Sequence, residues 1–311
     1  MADHRIEPER RNLHGHFSRD LTPVLTIAPG DRVTFRTLDA HWGSYEQPDP
    51  FGTPVPFTPR DPELDKGHAL CGPVVVEGAR AGQTLVVHIE EVRPGGWGWT
   101  SAGGYPGAIN QALGLVEKPG HAISWSIDAA AGIARDASGR TVRLRPFMGV
   151  LGMPPAEPGR HSTIPPRATG GNIDCRELVA GSTLYLPIAV DGAWFSAGDA
   201  HGVQGDGEVS GVALECPATA TLRLDVEPRS LSWPRAITPA GWIAFGFHED
   251  LHQAALAALG NMLDWMSEAH GMPRKEALAR ASLVVSLRIT QLVNGVLGVH
   301  ALLPPDALSS G

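Results

Sequence analysis

The chain has 311 residues, a formal net charge of −8 and a pI near 5.9. No basic stripe is present, so nucleic acid is not an expected partner. No run approaches the ~18 apolar residues of a membrane helix, so no membrane span is expected.

The start, MADHRIEPERRNLHGHF, has no apolar h-region, and no signal peptide is expected. Cys71, Cys175 and Cys216 are an odd number without metal-type spacing. A soluble, reducing, cytoplasmic setting is the resulting expectation. Gly 37 and Pro 27 both exceed average usage and lie between apolar runs, which signals many turns and a mainly β chain.

In chain order, four segments share one plan: a turn, then period-2 alternation. Pro29-Gly30-Asp31 leads into Val33, Phe35 and Thr37. Ala81-Gly82-Gln83 leads into Leu85, Val87 and Ile89. Residues 94–121, glycine-rich with Trp97, Trp99 and Tyr105, read as a long irregular loop, and so do the proline-rich residues 154–171. Trp97 is expected to line a pocket or meet a second subunit, since exposed tryptophans are costly. Gly181-Ser182 then leads into Leu184, Leu186, Ile188 and Val190, and Ala218-Thr219 into Leu222, Leu224 and Val226. Such alternation turns one side-chain row onto a core. It predicts β-sandwich or barrel-like modules, with a duplicated β unit possible. Beyond residue 236 the character changes. Glu249-Asp250 open a predicted helix to His270, closed by Gly271. Its apolar stripe is Leu251, Ala255, Leu259, Met262, Leu263 and Met266, with the methionines as core filling. A second helix runs from Arg274 to Leu283, and strand-like alternation from Leu283 to Val293 follows. Three parts are expected: an N-terminal β module over 1–150, a central β module over 151–235 carrying the site, and a smaller C-terminal α+β part over 236–311 packing on the same core.

The densest chemistry lies in FSAGDAHGVQGDGEVSGVALEC, residues 195–216. Asp199, His201, Gln204, Asp206 and Glu208 stand within ten positions, spaced by glycines that let the chain wind tightly while side chains converge. The flanking apolar residues place this run on a turn between strands. Three further groups carry candidates: Asn172 and Asp174 in TGGNID, His68 in GHALCGP, and Asp39 after Thr37-Leu38. Together they offer oxygen and imidazole ligands without a clustered thiolate, which suits a divalent ion, zinc or calcium. Such an ion acidifies water and polarises a carbonyl, and a free carboxylate then moves the proton to a leaving amine. Cys71, Cys175 and Cys216 read as packing, and Glu215 as a structural residue on the strand that leaves the cluster.

The stretch TGGNIDCRELVAGSTLYLPIAVDGAWFSAGDAHGVQGDGEVSGVALE closely resembles the acetamidase/formamidase family: a GGN-x-D turn, a G-S-x-L-x-L-P strand, then G-D-x-H-x-x-Q-G-D-G-E. HALCGPVVVEGARAGQTLVVHIEEV, PVLTIAPGDRVTFRTLDA and PFMGVLGMPP extend the resemblance to about residues 14–300. It implies a mainly β fold, a homo-oligomer of two or more chains, and hydrolysis of short amides such as formamide or acetamide to a carboxylate and ammonia. A larger or aromatic amide as substrate, or a non-catalytic small-molecule-binding relative, are the alternatives. Carried onto this chain, Glu208, Asp199 and Asn172 are the expected catalytic residues. His68 and Gln204 are expected to bind substrate, and Asp174, His201 and Asp206 to hold the metal; from the residues alone, outside the resemblance, Trp97 joins the expected substrate-binding group and Asp39 the metal ligands. Cys71 stands where many relatives have threonine, and the 41–54 insert and the Trp97/Trp99 segment also depart from the simplest members.

Overall fold

The computed structural model describes residues 1–308. Two large sheets pack face to face. The first has nine strands in the spatial order Asp3–Ile6, Arg32–Thr37, Ala218–Glu227, Thr84–Pro94, Thr183–Pro187, Arg235–Thr238, Gly241–His248, Leu297–Leu303 and Ser286–Gln291. The four segments expected from alternation are therefore four consecutive neighbours of one sheet. Their registers align the apolar rows: Val33 faces Leu222, Val87 faces Leu224 and Leu184 faces Val87. One-sided burial enforces this, because a slip by one residue would turn each row to the opposite face.

The second sheet carries the site motifs. Its central strand, Phe195–His201, pairs with Phe147–Gly152 on one side. On its other side it pairs with Leu70–Val76 and then Glu215–Cys216. Phe35 of the first sheet meets Phe195 of the second edge-on, with ring centroids 6.1 Å apart, so the two sheets share one core.

One expectation needs correction. Residues 97–102 are not loop: Trp97–Ala102 is a strand paired with His121–Asp128 and, at Trp99, with Glu215. Gly98 suggested a loop, but it is a close-approach glycine: a Cβ there would lie 2.6 Å from the Glu215 carbonyl oxygen. The three expected parts also share their sheets. The first sheet takes strands from 1–150, 151–235 and 236–303, so hydrogen bonding crosses both expected boundaries.

At the C-terminal end, Leu251–His270 is one helix, with the Asp250 side chain accepting from Gln253 N at 2.9 Å and Gly271 at φ 64° as its cap. The face pressed on strands Gly241–His248 and Leu297–Leu303 is centred on Ala254, Ala258, Met262 and Met266. The expected stripe is thus rotated, leaving Leu251, Ala255 and Leu259 at its half-buried margin. Small alanines lead because the helix backbone approaches Gly246 closely. Arg274–Val284 follows as the second helix and Ser286–Gln291 as the outermost strand. Among the described residues, no helix is long and apolar enough to cross a membrane.

Among the histidines buried away from the His201 cluster, two have lowered pKa values. His14 bonds the His16 carbonyl and Ser196 Oγ at 2.7 and 3.0 Å, and burial pushes its pKa down to about 4. His300 is pushed down to about 3 by burial and by Arg288 and Arg176. Both folded-state values lie below the unfolded one, so their stabilising effect is complete above about pH 6.5 and is lost as pH falls toward 4. The loss is roughly 1.4 kcal/mol per pH unit for each histidine. Urea unfolding at pH 7 and pH 5 should show a smaller stability difference in His14→Asn than in the wild type. Equal differences would mean that His14 is not neutral in the fold.

Candidate active site

Four parts of the second sheet and its loops converge on His201. Asp199 and His201 belong to the strand Phe195–His201 itself, not to a turn. Glu215 is the register partner of His201 across the strand pair, which sets their side chains face to face. Asp174 follows the short strand Gly170–Asn172. Glu208 sits in the loop after His201, which Gly207 fastens by donating its N–H to the Thr290 carbonyl at 3.1 Å.

Gly149, on the neighbouring strand, makes room for this convergence. A Cβ there would lie 2.5 Å from Asp174 Oδ1 and 2.7 Å from Asp199 Oδ2. The site also bends backbone: Asp174, Asp199 and Glu208 hold φ values of 52°, 55° and 45°. Non-glycine residues rarely occupy this left-handed region, and such outliers gather at functional sites.

Asp174, Asp199, His201, Glu208 and Glu215 are all buried. His201 Nδ1 lies 2.9 Å from Gln204 Oε1, and Gln204 Nε2 donates to the Asp174 carbonyl at 2.8 Å. Gln204 is thereby fixed with its oxygen toward the ring, so Nδ1 carries a proton and Nε2 points the other way. Nε2 lies 3.3 Å from Asp199 Oδ1 and 3.4 Å from Glu215 Oε1. Asn294 donates to Asp174 Oδ2 at 2.6 Å.

The charges are strongly interdependent. Burial would lower the His201 pKa, but Glu215 and Asp199 outweigh it and hold the imidazole well above its usual range. Burial raises Glu208 well above the carboxylate range, with the Asp174 carboxylate adding to it. Burial likewise raises Asp174, and pushes Glu215 up to about 7. For Asp199, burial is overcome by His201 and His68, and its pKa is lowered.

A cavity of about 280 Å³ opens onto this cluster, lined by Asp199, Glu208, Glu215, Asn172, His68 and His41 among others. His68 is half-buried, and its Nδ1 lies 2.9 Å from Thr163 Oγ1, so Nε2 is the nitrogen left to meet a ligand. His41 stacks on Trp99 with ring centroids 4.9 Å apart.

Around His201, two sets could hold a metal ion: Asp199, His201 and Glu215, or Asp174, His201 and Glu208. Asp174 Oδ1, Glu208 Oε2, Glu215 Oε2 and Asn172 Oδ1 are buried without a hydrogen-bond partner. Unpartnered carboxylate oxygens around one imidazole are an uncompensated arrangement that a divalent cation completes.

Of the residues singled out in the sequence, Asn172, Asp174, Asp199, His201, Gln204, Glu208 and His68 come together here. Three do not. Asp206 turns outward, 3.2 Å from Arg288 Nε and 4.0 Å from Arg176 Nε. Asp39 is buried nearby, but its oxygens accept from Gly43 N at 2.5 Å and Trp99 Nε1 at 2.7 Å. Trp97 packs inward, its Nε1 3.2 and 3.1 Å from the carbonyls of Ser44 and Tyr45, and is absent from the cavity lining. Trp97→Ala should therefore lower stability by about 3–5 kcal/mol, the usual result of emptying a buried aromatic site, and leave the order of substrate preference unchanged. A chemical denaturation curve beside a substrate panel checks both halves. Glu215, His41 and Asn294 join the site without having been singled out for it. The sequence placed Glu215 on the strand leaving the cluster as a structural residue, and its pairing with His201 is what brings it into the site.

Two packed sheets with a buried acid and imidazole cluster beneath a small cavity define a mainly β protein built around one polar site. The chain belongs to the acetamidase/formamidase family, whose profile matches residues 2–159 and 159–238. It is 27% identical to an acetamidase of Mycolicibacterium smegmatis over 261 residues, covering 63% of this chain and 61% of that protein. It is 25% identical to a formamidase of Methylophilus methylotrophus over 248 residues, covering 64% and 60%. The chain thus spans less than two thirds of the length of these curated relatives. A solved acetamidase structure from Yersinia enterocolitica superposes with a TM-score of 0.84 at 27% identity, covering 100% of this chain and 94% of that one.

Proposed function

We propose that this chain hydrolyses short primary amides to the carboxylate and ammonia, with His201, Asp199 and Glu215 holding a divalent ion. The observation that carries the reading is the group of unpartnered, buried carboxylate oxygens around His201 at the edge of a 280 Å³ cavity. Family membership supports the same reaction class.

In this reading water oxygen bonds to the amide carbonyl carbon and the C–N bond breaks. An ion held by His201, Asp199 and Glu215 would supply Lewis acidity toward the carbonyl and would acidify water. Glu208 takes a proton from the attacking water and delivers it to the leaving nitrogen. Asn172 Oδ1, an acceptor with no partner, suits the N–H groups of a primary amide. His68 Nε2 orients the substrate from the opposite wall. Gln204 holds the ring so that Nε2 is the metal-facing nitrogen, the usual work of an outer partner of a ligating histidine.

Zinc is favoured over calcium, because one imidazole and two carboxylates make a donor set that would suit zinc. Calcium takes six to eight oxygens. Buried free thiols at Cys71, Cys175 and Cys216 suit a reducing, cytoplasmic setting. The outermost strand Ser286–Gln291 exposes Leu287 and Ile289, which supports a homo-oligomer and is checked by light scattering.

The decisive assay is ammonia release from formamide, acetamide and propionamide, before and after chelation and zinc restoration. A folded, zinc-replete chain that releases no ammonia from any primary amide would sink the reading.

A further inference from the structure

The loop between the strands Phe195–His201 and Glu215–Cys216 has a second side. There it borders another cavity, of about 230 Å³. Glu208 and Val212 line both this cavity and the one above the cluster. The other walls are mainly apolar: Trp125, Val142, Val203, Val209 and Leu214. Most of the polar groups in them are engaged within the chain. Thr100 Oγ1 donates to the Ala213 carbonyl at 2.8 Å and accepts from Trp125 Nε1 at 3.1 Å. Ser210 Oγ donates to the Val212 carbonyl at 3.1 Å, Gln204 is held by His201 and Asp174, and Asp206 faces Arg288. Glu208, at the shared wall, keeps an unpartnered oxygen, Oε2, as Asp206 does at Oδ1 on the side toward Arg176.

An apolar chamber that shares Glu208 and Val212 with the site is suited to a substrate with a polar reacting end and an apolar body. We propose that this cavity is an acyl subsite, and that the preferred substrates are primary amides with an apolar acyl group of roughly four to seven carbons, aromatic ones included. This rests on the amide-hydrolase reading above. The size agrees, since a cavity of roughly 150 Å³ already accepts benzene. Burying each further methylene is worth roughly fourfold in affinity. Pentanamide, three methylenes longer than acetamide, should therefore exceed acetamide in kcat/KM by roughly 60-fold.

The test uses Val142, half-buried on the strand Thr141–Arg143 and outside the cluster. Val142→Phe fills the chamber and Val142→Ala widens it. Steady-state kinetics on amides from formamide to heptanamide and on benzamide are read beside calorimetric binding of pentanoate, which needs no turnover. The expected result is a kcat/KM that rises with chain length in the wild type. In Val142→Phe it falls tenfold or more for pentanamide and stays within about twofold for acetamide. Val142→Ala should shift the optimum to a longer chain, and it serves alone if Val142→Phe does not fold. A wild-type profile that falls with chain length, with all amides affected alike in both variants, overturns the subsite while leaving the hydrolase reading intact. Absence of turnover on every amide, with pentanoate binding still weakened by Val142→Phe, retains the chamber as a binding site and removes the hydrolase reading. Absence of both turnover and binding overturns both.

Discussion

Glu208→Gln is expected to lower kcat for amide hydrolysis by about 10²–10⁴-fold, the usual effect of losing a general acid/base. The substitution keeps the size of the side chain and removes only its capacity to carry a proton. Glu208 is buried beside Asp174, which adds to the upward shift of its pKa, so a neutral amide relieves a like-charge contact. The melting temperature should hold or rise while activity collapses. Zinc content should remain near the wild-type level, because the proposed ligands are His201, Asp199 and Glu215. Turnover close to normal in a folded Glu208→Gln would reassign the proton carrier, with Asp174 the next candidate on the same side of His201.

The second large effect is loss of metal. His201→Ala should retain well under one tenth of an equivalent of zinc after dialysis and show no amide hydrolysis above background. Removing one of three ligands leaves two carboxylates without their nitrogen partner. Glu215→Gln should behave similarly, which separates its ligand role from that of a merely structural strand residue. Gln204→Ala removes only the orienting bond to Nδ1, so zinc affinity should fall by about 10–100-fold rather than vanish. Elemental analysis of each variant, read with its melting curve, distinguishes these cases. A folded His201→Ala that keeps a full equivalent of zinc would rule out His201 as a ligand.

Much of this arrangement is legible in the residues. The alternating rows at Val33, Leu85, Leu184 and Leu222 announce strands because a half-buried sheet demands period-2 patterning. The Asp250 cap and Gly271 mark both ends of the long helix for equally local reasons. The glycine-spaced acids and His201 stand out as a site, and most of them converge. What the chain does not announce is pairing between distant segments. Trp97 and Trp99 look like loop residues until the strands His121–Asp128 and Glu215–Cys216 are set beside them. Asp206 shares its neighbours' chemistry but turns outward, because Arg288, 82 positions away, is there to meet it. Asp39 looks ligand-like, yet its oxygens are already occupied by Trp99 and Gly43. Glu215 gains its meaning solely from register, as the cross-strand partner of His201.

The left-handed backbone at Asp174, Asp199 and Glu208 bears on how this protein would respond to selection. At each of these positions glycine would adopt the same conformation without strain, and would also delete a buried acid. Backbone ease and chemistry therefore pull against each other there, most openly at Glu208, whose buried carboxyl is also raised by burial and by Asp174. A library screened only for survival of heating would tolerate loss of Glu208 more readily than loss of Asp199, which is favourably paired with His201. Hardening this scaffold without losing its chemistry means choosing positions on the nine-stranded sheet and the long helix, where the acids have no stake.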